Sequence, residues 1–181
     1  AGITTEHECV TLDEARDCVA AGMLVQIREG SAAKNYEALI PLLKEHPESV
    51  MFCTDDCHPD DLIRGHINRI VGRALADGYN LWDVLQAACV TPQRHYHLHW
   101  GLLQQGDAAN FIVVDNLSPR FRVLQTFVRG KEVYNCNSYL RTIQSQSKSI
   151  TNQMAILDNY PNHFVAKPIR TADIAMTLNR G

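Results

Sequence analysis

Short apolar runs alternate with amphipathic stretches through the first part of the chain. Two runs have the length of buried strands, at 23–27 and 50–54. The stretches at 12–22, 35–46 and 59–76 repeat apolar residues at helical spacing and predict helices. Strands that alternate with helices are typical of a parallel sheet with helical crossovers, so the pattern predicts an α/β fold.

Local signals mark the boundaries of the predicted helices. Thr11 and Glu14 have the spacing of a capping box, and Gly22 suits the left-handed position at the end of the first helix. Pro41 is expected to break the second helix, and Pro59 suits the first turn of the third. The boundary signals therefore agree with the apolar spacing.

The pattern changes in the later part of the chain. Two short helices are predicted at 81–90 and 92–98, and a turn followed by a strand is predicted within 106–115. A β-hairpin is predicted over 121–134. Residues 135–153 are polar and rich in Ser, Asn and Gln, which indicates either a linker or an exposed helix.

Composition and charge narrow the classes of function. The 181 residues include 17 Lys and Arg against 20 Asp and Glu, a formal net charge of −3, and 45% are hydrophobic. This balance argues against a nucleic-acid or anionic-membrane partner, and no apolar run approaches the ~20 residues that span a bilayer. The six cysteines have no regular spacing, which favours buried reduced thiols and a cytoplasmic location.

Polar side chains stand at or just past the ends of three predicted strands. They are His7, Arg28 and Asp55, which are 21 and 27 residues apart in the sequence. A (β/α)₈ barrel repeats about every 31 residues, so these distances are compatible with successive units of one barrel. Because such barrels keep their chemistry at the carboxyl ends of the strands, the three residues are candidates for a functional site.

Each candidate position has a chemical and a structural interpretation. A neutral His7 imidazole can bind a divalent metal while Glu8 orients it or moves a proton, although a His-Glu pair is also common on surfaces. Asp55 can ligate a metal and accept a proton from an attacking water, or Asp55 or Asp56 can cap the following helix. The loop that begins at Arg28 presents directed donors and acceptors or is simply solvated.

A second metal motif is less convincing. His95, His97 and His99 alternate with other residues, a spacing that places imidazoles on one face of a strand. Here the motif follows a predicted helical turn, which misaligns the rings. A surface or packing role is therefore expected for these histidines.

The order of the motifs resembles a known family. The segments AGITTEHE, GMLVQIREGSAAKN and MFCTDD-x-HPDDLIRGHI are similar to bacterial adenine deaminases of the amidohydrolase superfamily. AACVTPQRHYHL followed by GLLQQGDAANFIVVDNL resembles the passage into the small β-sandwich domain of that superfamily. The resemblance extends from residue 1 to about residue 134, and IREGSAAKN with CTDD and GHI is its most specific part.

This resemblance implies a fold and a reaction. Residues 1–100 would form the C-terminal part of a metal-dependent (β/α)₈ amidohydrolase barrel, about strands six to eight. Residues 101–134 would belong to the β-sandwich, and 135–181 to a linker and the start of a truncated C-terminal region. The implied reaction converts adenine and water to hypoxanthine and ammonia, as a hydroxide held by a pair of Mn²⁺ or Fe²⁺ ions attacks C6.

The resemblance also implies roles for individual residues. His7 matches the histidine metal ligand of the sixth strand, and Asp55 matches the eighth-strand aspartate that ligates metal and carries the proton. Arg28, Glu29 and Ser31 lie in the seventh-strand loop, where they are expected to shape the purine pocket. Three further residues match motif positions without an assigned role: Asp56, His58 and His66.

The matched segment holds only part of the metal site of the family. The His-x-His of the first strand, the mid-barrel glutamate and the fifth-strand histidine have no counterpart, because the match begins just before the sixth strand. A catalytic metal takes at least three protein ligands, and two matched ones remain. The chain alone is therefore expected to be inactive and to bind metal weakly or not at all. Open sheet edges favour self-association as a homo-oligomer, a compensating partner chain or a rearranged fold.

Two other functions stay open. One is another amidohydrolase that acts on a cyclic amide or a different aminopurine, although IREGSAAKN argues against it. The other is a non-catalytic module of deaminase ancestry, which the missing ligands favour for the isolated segment. Under the main hypothesis the partner is a small molecule, adenine, and neither nucleic acid nor a membrane is involved.

Overall fold

The computed structural model describes residues 2–98 and 101–138, and these contain two three-stranded sheets. The strands are β1 (Thr5–Glu6), β2 (Leu24–Arg28), β3 (Val50–Cys53), β4 (Phe111–Val114), β5 (Val123–Val128) and β6 (Lys131–Asn135). The first sheet has the order β1-β2-β3 with parallel pairs, and the second has the order β4-β5-β6 with antiparallel pairs. The described part is thus mixed α/β, as the sequence pattern predicts.

Helices connect the strands of the first sheet and follow it. They are α1 (Leu12–Ala20), α2 (Tyr36–Leu39), α3 (Leu42–Glu45), α4 (Pro59–Leu62), α5 (Ile67–Ala76), α6 (Leu81–Leu85) and α7 (Thr91–His95), with a 3₁₀ turn at Pro47–Ser49 and a π-helical segment at Gln86–Val90. The capping box predicted for α1 is confirmed, since Glu14 N–H donates to Thr11 Oγ1 at 3.3 Å and Thr11 N–H donates to the Glu14 carboxylate at 3.0 Å. Across the described ranges, none of the helices has the length and apolar character of a membrane span.

Strand β2 lies at the centre of the first sheet and of the hydrophobic core. Val25 pairs with Val50 and Ile27 pairs with Phe52, and all four side chains are buried. The helices cover these strands with fully buried side chains: Ala15, Tyr36, Leu39, Leu42, Leu43, Ala74 and Val84. This packing fixes the ends of the three parallel strands relative to one another.

The stretch 59–76, for which the apolar spacing predicts one helix, forms the two helices α4 and α5. Gly65 lies between them with φ +135°, a backbone conformation that L side chains rarely adopt. Apolar residues continue at helical spacing across this break, so periodicity does not reveal it. The break carries His66 to the end of β3, where its Nε2 lies 3.0 Å from Thr54 Oγ1.

The remaining helix predictions differ less from the structure. The predicted interruption at Pro41 is confirmed, because α2 ends before it and α3 begins after it. The helices predicted at 81–90 and 92–98 form one run of α6, the π-helical segment and α7. Pro92 has no N–H to donate, and the Thr91 N–H before it bonds to the Gln86 carbonyl five residues back, which explains the local widening.

The predicted hairpin is confirmed in β5 and β6. Its turn residues Arg129 and Gly130 have positive φ angles of 51° and 74°, as two-residue turns between twisted strands require. Phe111 of β4 stacks on Phe127 of β5 with ring centroids 4.6 Å apart. Aromatic contact across the pair therefore supports this small sheet.

The division of the chain at residues 100 and 134 stays a prediction. Phe121, which precedes β5, is buried in the same cluster as side chains of α5, so the second sheet is anchored to the first part of the fold. The linker and C-terminal region proposed for 135–181 lie outside the described residues, apart from 135–138.

Candidate metal site

Three of the predicted site residues meet at one edge of the parallel sheet. His7 follows β1, Arg28 is the last residue of β2, and Asp55 lies two residues beyond β3. The strands are parallel, so their carboxyl ends share this edge. His7 Nε2 lies 3.9 Å from Asp55 Oδ2 and 3.4 Å from Glu8 Oε1. The sheet therefore assembles an imidazole and two carboxylates from segments far apart in the sequence.

Arg28 is the centre of this cluster. Its Nη2 donates to Glu8 Oε2 at 2.6 Å, and its Nη1 donates to Glu8 Oε1 at 3.1 Å and to Asp55 Oδ2 at 2.6 Å. The Arg28 side chain is only 10% exposed, whereas the Glu8 side chain is 67% exposed. Among the described residues, Arg28 Nε has no hydrogen-bond partner. The buried guanidinium thus joins the two carboxylates through its Nη1 and Nη2 atoms.

The ion pairs favour the charged forms of Asp55 and Arg28. The hydrogen bond from Arg28 lowers the pKa of Asp55 below its usual value, and the Asp56 N–H adds to this effect by donating to Asp55 Oδ1 at 2.7 Å. The hydrogen bond to Glu8 raises the pKa of Arg28, with Asp55 contributing. Asp55 is therefore an anion throughout the neutral range, which is the form that binds a metal and accepts a proton.

The backbone at Asp55 is unusual. Its φ is 54°, in the left-handed region that non-glycine residues rarely adopt. The helix-capping alternative does not hold here, since His58 is the N-cap residue of α4 and no side chain caps that helix. The left-handed turn instead accompanies an Asp55 carboxylate that faces Arg28 and His7.

Asn35 is a buried polar residue that sequence reasoning missed. Its side chain accepts a hydrogen bond from Arg28 N–H and donates to the carbonyl oxygens of His7 and Cys9. An Asn just before a helix is typical of an N-cap, so the sequence alone gives no reason to assign Asn35 another role. Its place as the last residue of the IREGSAAKN segment is the signal that could have marked it.

Glu29 and Ser31 lie in the same loop but bond to other partners. The Glu29 carboxylate lies 3.2 Å from Arg73 Nη1. Ser31 Oγ donates to Asp61 Oδ2 at 2.5 Å and accepts from His58 N–H at 2.9 Å, and the first of these bonds lowers the pKa of Asp61. The structure thus places Glu29 and Ser31 beside the cluster and does not bring their side chains into it.

The donor set suits a divalent metal ion. An ion about 2.0–2.2 Å from each of two ligand atoms spans up to about 4 Å between them, and the 3.9 Å between His7 Nε2 and Asp55 Oδ2 fits this span. Imidazole nitrogen and carboxylate oxygen suit Fe²⁺ and Mn²⁺. Among the described residues, His7, Glu8 and Asp55 form the one group of three that could hold an ion. Both Glu8 oxygens accept from Arg28, and both Asp55 oxygens accept as well, Oδ2 from Arg28 Nη1 and Oδ1 from Asp56 N–H, so an ion at this edge would share the two carboxylates with these donors.

The other candidate ligands do not join this group. His95 Nε2 lies 3.2 Å from Thr4 Oγ1, and its ring meets Tyr96 edge-on. His97 is in a left-handed turn conformation, and His99 lies outside the described residues. All six cysteines are free thiols. These contacts are those of packing and surface groups.

A family profile and the curated relatives of this chain point to the same family. The sequence profile of the amidohydrolase family matches residues 2–133. The chain is 47% identical over 173 residues to an adenine deaminase of Salinibacter ruber, which covers 96% of this chain and 29% of the relative. It is 52% identical over 134 residues to an adenine deaminase of Parabacteroides distasonis, covering 74% and 24%. The chain thus spans less than a third of the length of these curated relatives.

A solved structure supports the fold. The crystal structure of a beta-aspartyl dipeptidase from Fervidobacterium islandicum AW-1, in complex with a beta-Asp-Leu dipeptide, superposes with a TM-score of 0.57. The match covers 72% of this chain and 39% of that protein, at 17% sequence identity. At this identity the likeness concerns the fold alone.

Proposed function

This chain belongs to the amidohydrolase family, and we propose that the protein containing it is an adenine deaminase that converts adenine and water to hypoxanthine and ammonia. The proposal is supported by 44% to 52% identity to curated adenine deaminases over most of the chain. It is supported further by the cluster of His7, Arg28 and Asp55 at the carboxyl ends of adjacent parallel strands. This cluster is the observation that carries the proposal, because folding alone does not require it.

In this proposal His7 and Asp55 hold a divalent metal, Mn²⁺ or Fe²⁺, as part of a metal pair. The metal, when bound, makes a water nucleophilic at neutral pH, which attack on an aromatic amidine requires. Asp55 accepts the proton of that water and passes it to the amino group that leaves C6 as ammonia. Arg28 keeps Asp55 ionised and oriented for this transfer.

We assign the wall of the purine pocket to the loop that carries Arg28, Glu29 and Ser31. Hydrogen bonds tie this loop to the segment containing Asp55: Glu29 N–H donates to Cys53 O at 3.1 Å, and Ser31 N–H donates to Asp56 O at 3.0 Å. A side chain at Gly30 would meet backbone oxygens, the nearest 2.8 Å from its Cβ, so the two segments approach closely. A wall held in this way would keep the purine edge in register with Asp55.

The finer features of the whole protein belong to the same proposal. Residues 1–100 would complete a (β/α)₈ barrel as about its sixth to eighth strands, and 101–134 would join a small β-sandwich. The protein would work in the cytoplasm as a homo-oligomer and act on a small molecule rather than on nucleic acid or a membrane.

The test is a substrate screen with the complete gene product. The protein is stripped with a chelator, reloaded with Mn²⁺ or Fe²⁺, and offered adenine, other aminopurines and cyclic amides, with product formation followed by absorbance. We expect metal-dependent conversion of adenine to hypoxanthine. Hydrolysis of a cyclic amide or another aminopurine in place of adenine would point to a different amidohydrolase. Inactivity on all of them after metal loading would leave a non-catalytic module.

A further inference from the structure

Asn35 uses all of its side-chain hydrogen-bonding groups inside the fold. Oδ1 accepts from Arg28 N–H at 2.8 Å, and Nδ2 donates to His7 O at 3.2 Å and to Cys9 O at 3.1 Å. An asparagine amide has two N–H donors, and both are used here. The residue is only 6% exposed, so water cannot easily replace these bonds.

The backbone around His7 depends on this side chain. Strand β1 pairs with β2 only through Thr5 and Glu6, so His7 lies one residue beyond the last ladder pair. The two bonds from Asn35 Nδ2 hold the carbonyls of His7 and Cys9, directly after the ladder ends. Asn35 thus continues the attachment of β1 to its neighbours past the end of the strand.

The same residue is locked to the end of β2. Asn35 N–H donates to Arg28 O at 3.1 Å while Arg28 N–H donates to Asn35 Oδ1, so the two residues exchange hydrogen bonds across the loop. A bridge between Glu29 and Lys34 lies inside this pair. One buried amide therefore links the backbone of His7 to the backbone of Arg28. The guanidinium of Arg28 in turn bonds to Asp55.

We propose that Asn35 is a positioning residue of the metal site, which sets the distance between His7 and the Arg28–Asp55 pair. This inference rests on the proposed function in so far as His7 and Asp55 are the metal ligands. Loss of the side chain removes a partner from the Cys9 carbonyl and the Arg28 N–H, both in buried bonds, and from the partly buried His7 carbonyl, and the segment after β1 is the part free to shift. Groups that orient metal ligands typically contribute about 10- to 100-fold in metal affinity.

The experiment measures Mn²⁺ affinity of the complete gene product from the signal of free Mn²⁺ in electron paramagnetic resonance, and thermal unfolding of the metal-free protein. Asn35→Ala removes all three bonds. Asn35→Asp keeps an acceptor for Arg28 N–H and removes both donors to the carbonyls; it also adds a negative charge, so it is compared with the neutral Asn35→Ala. The matched control is Asn80→Ala, since Asn80 Oδ1 accepts from Trp82 N–H at 2.8 Å and caps α6 away from the site.

We expect both Asn35 variants to bind Mn²⁺ at least about tenfold more weakly than wild type, and Asn80→Ala to lose thermal stability with Mn²⁺ affinity unchanged. The proposal is overturned if the Asn35 variants lose stability and bind Mn²⁺ as wild type does, because the residue would then serve the fold alone. If neither Asn35→Ala nor Asn35→Asp is recovered folded, Asn35→Ser is measured in their place. If no Asn35 variant is recovered folded, the side chain is required for folding, and the positioning role is likewise rejected.

The readout separates this inference from the proposed function. Mn²⁺ binding does not depend on the substrate, so wild-type protein that binds Mn²⁺ without deaminating adenine contradicts the proposed reaction and leaves the Asn35 comparison intact. Wild-type protein that deaminates adenine while the Asn35 variants keep their Mn²⁺ affinity contradicts only the positioning role.

Discussion

Arg28 balances two carboxylates that would otherwise repel each other at the end of the sheet. Its bonds to Glu8 are bidentate, and its bond to Asp55 uses the same Nη1 as one of them. A guanidinium provides this planar fork, and a lysine ammonium cannot reproduce it. The geometry therefore favours a role for Arg28 in holding Asp55, beside any contact it makes with the purine.

Arg28→Lys separates these two roles. If Arg28 holds Asp55, the variant loses about 10- to 100-fold in kcat on adenine with a small change in KM, because the proton-transfer group is misplaced. If Arg28 only binds the purine, KM rises and kcat is kept. Steady-state kinetics of the complete gene product distinguish the two outcomes.

Arg16→Lys is the matched control for this substitution. Arg16 also makes a bidentate pair, with Glu45 at 2.9 and 2.7 Å, but its side chain is 45% exposed on the surface. Surface pairs of this kind contribute little to stability, and Arg16 lies on α1 rather than at the strand ends. Equal kinetic losses in the two variants would contradict the role assigned to Arg28.

The positions of the site residues could be predicted from the sequence, but their partners could not. Arg28 and Asp55 each follow an apolar run of strand length and His7 follows a short predicted strand, and parallel strands bring such positions to one edge. The bonds of Asn35 depend on which backbone groups the loop after β2 meets, and helix-capping preference suggests a different role for that residue. The pairing of Glu8 with Arg28 likewise depends on side-chain direction beyond the end of β1.

Among the helices, α5 approaches the segment before β5 closely at Gly72. Gly72 is in the interior of α5, and a Cβ there would meet the Pro119 carbonyl oxygen well inside van der Waals contact. The obstacle is backbone, which cannot swing aside as a flexible side chain does. Gly72 is therefore a packing requirement and not a weak point of the helix.

Gly72→Ala tests this contact through the sign of its effect. In an exposed helix the substitution stabilises by about 1 kcal/mol, because glycine is a poor helix former. Here we expect a net loss of about 1–3 kcal/mol from overpacking, seen as a lower Tm of the metal-free protein. A raised Tm would contradict the close approach of α5 and Pro119.

Helix boundaries were predictable where a residue forms, or cannot form, a hydrogen bond with backbone groups close to it in the sequence. Thr11, Glu14 and Pro41 mark helix ends through hydrogen bonds or missing donors that are local in sequence. The break at Gly65 was not predictable from periodicity, since apolar residues continue across it. Glycine permits the turn, but the contact of His66 with Thr54 that accompanies it is a tertiary feature.

For the whole molecule, the parallel sheet and the antiparallel sheet follow the order of apolar runs in the sequence. The superposition on the solved beta-aspartyl dipeptidase agrees with this fold, and the numbering of the strands within a complete barrel stays a prediction. The oligomeric state and the domain limits stay predictions. The pattern of apolar and polar residues cannot specify the oligomeric state or the domain limits, because it indicates which residues are buried and not which segment or chain buries them.

Under the proposed function, Asp55 both binds the metal and moves the proton in deamination of adenine. The most direct measurement compares Asp55→Asn with Asp56→Asn in the complete gene product, by bound Mn²⁺ per chain and by kcat on adenine. Asp56 is the neighbouring carboxylate, exposed and outside the cluster, so it controls for the loss of charge in this loop. We expect Asp55→Asn to lose metal and at least about 10²-fold in kcat, with Asp56→Asn close to wild type. An Asp55→Asn protein that keeps its metal and deaminates adenine at the wild-type rate would contradict this role of Asp55.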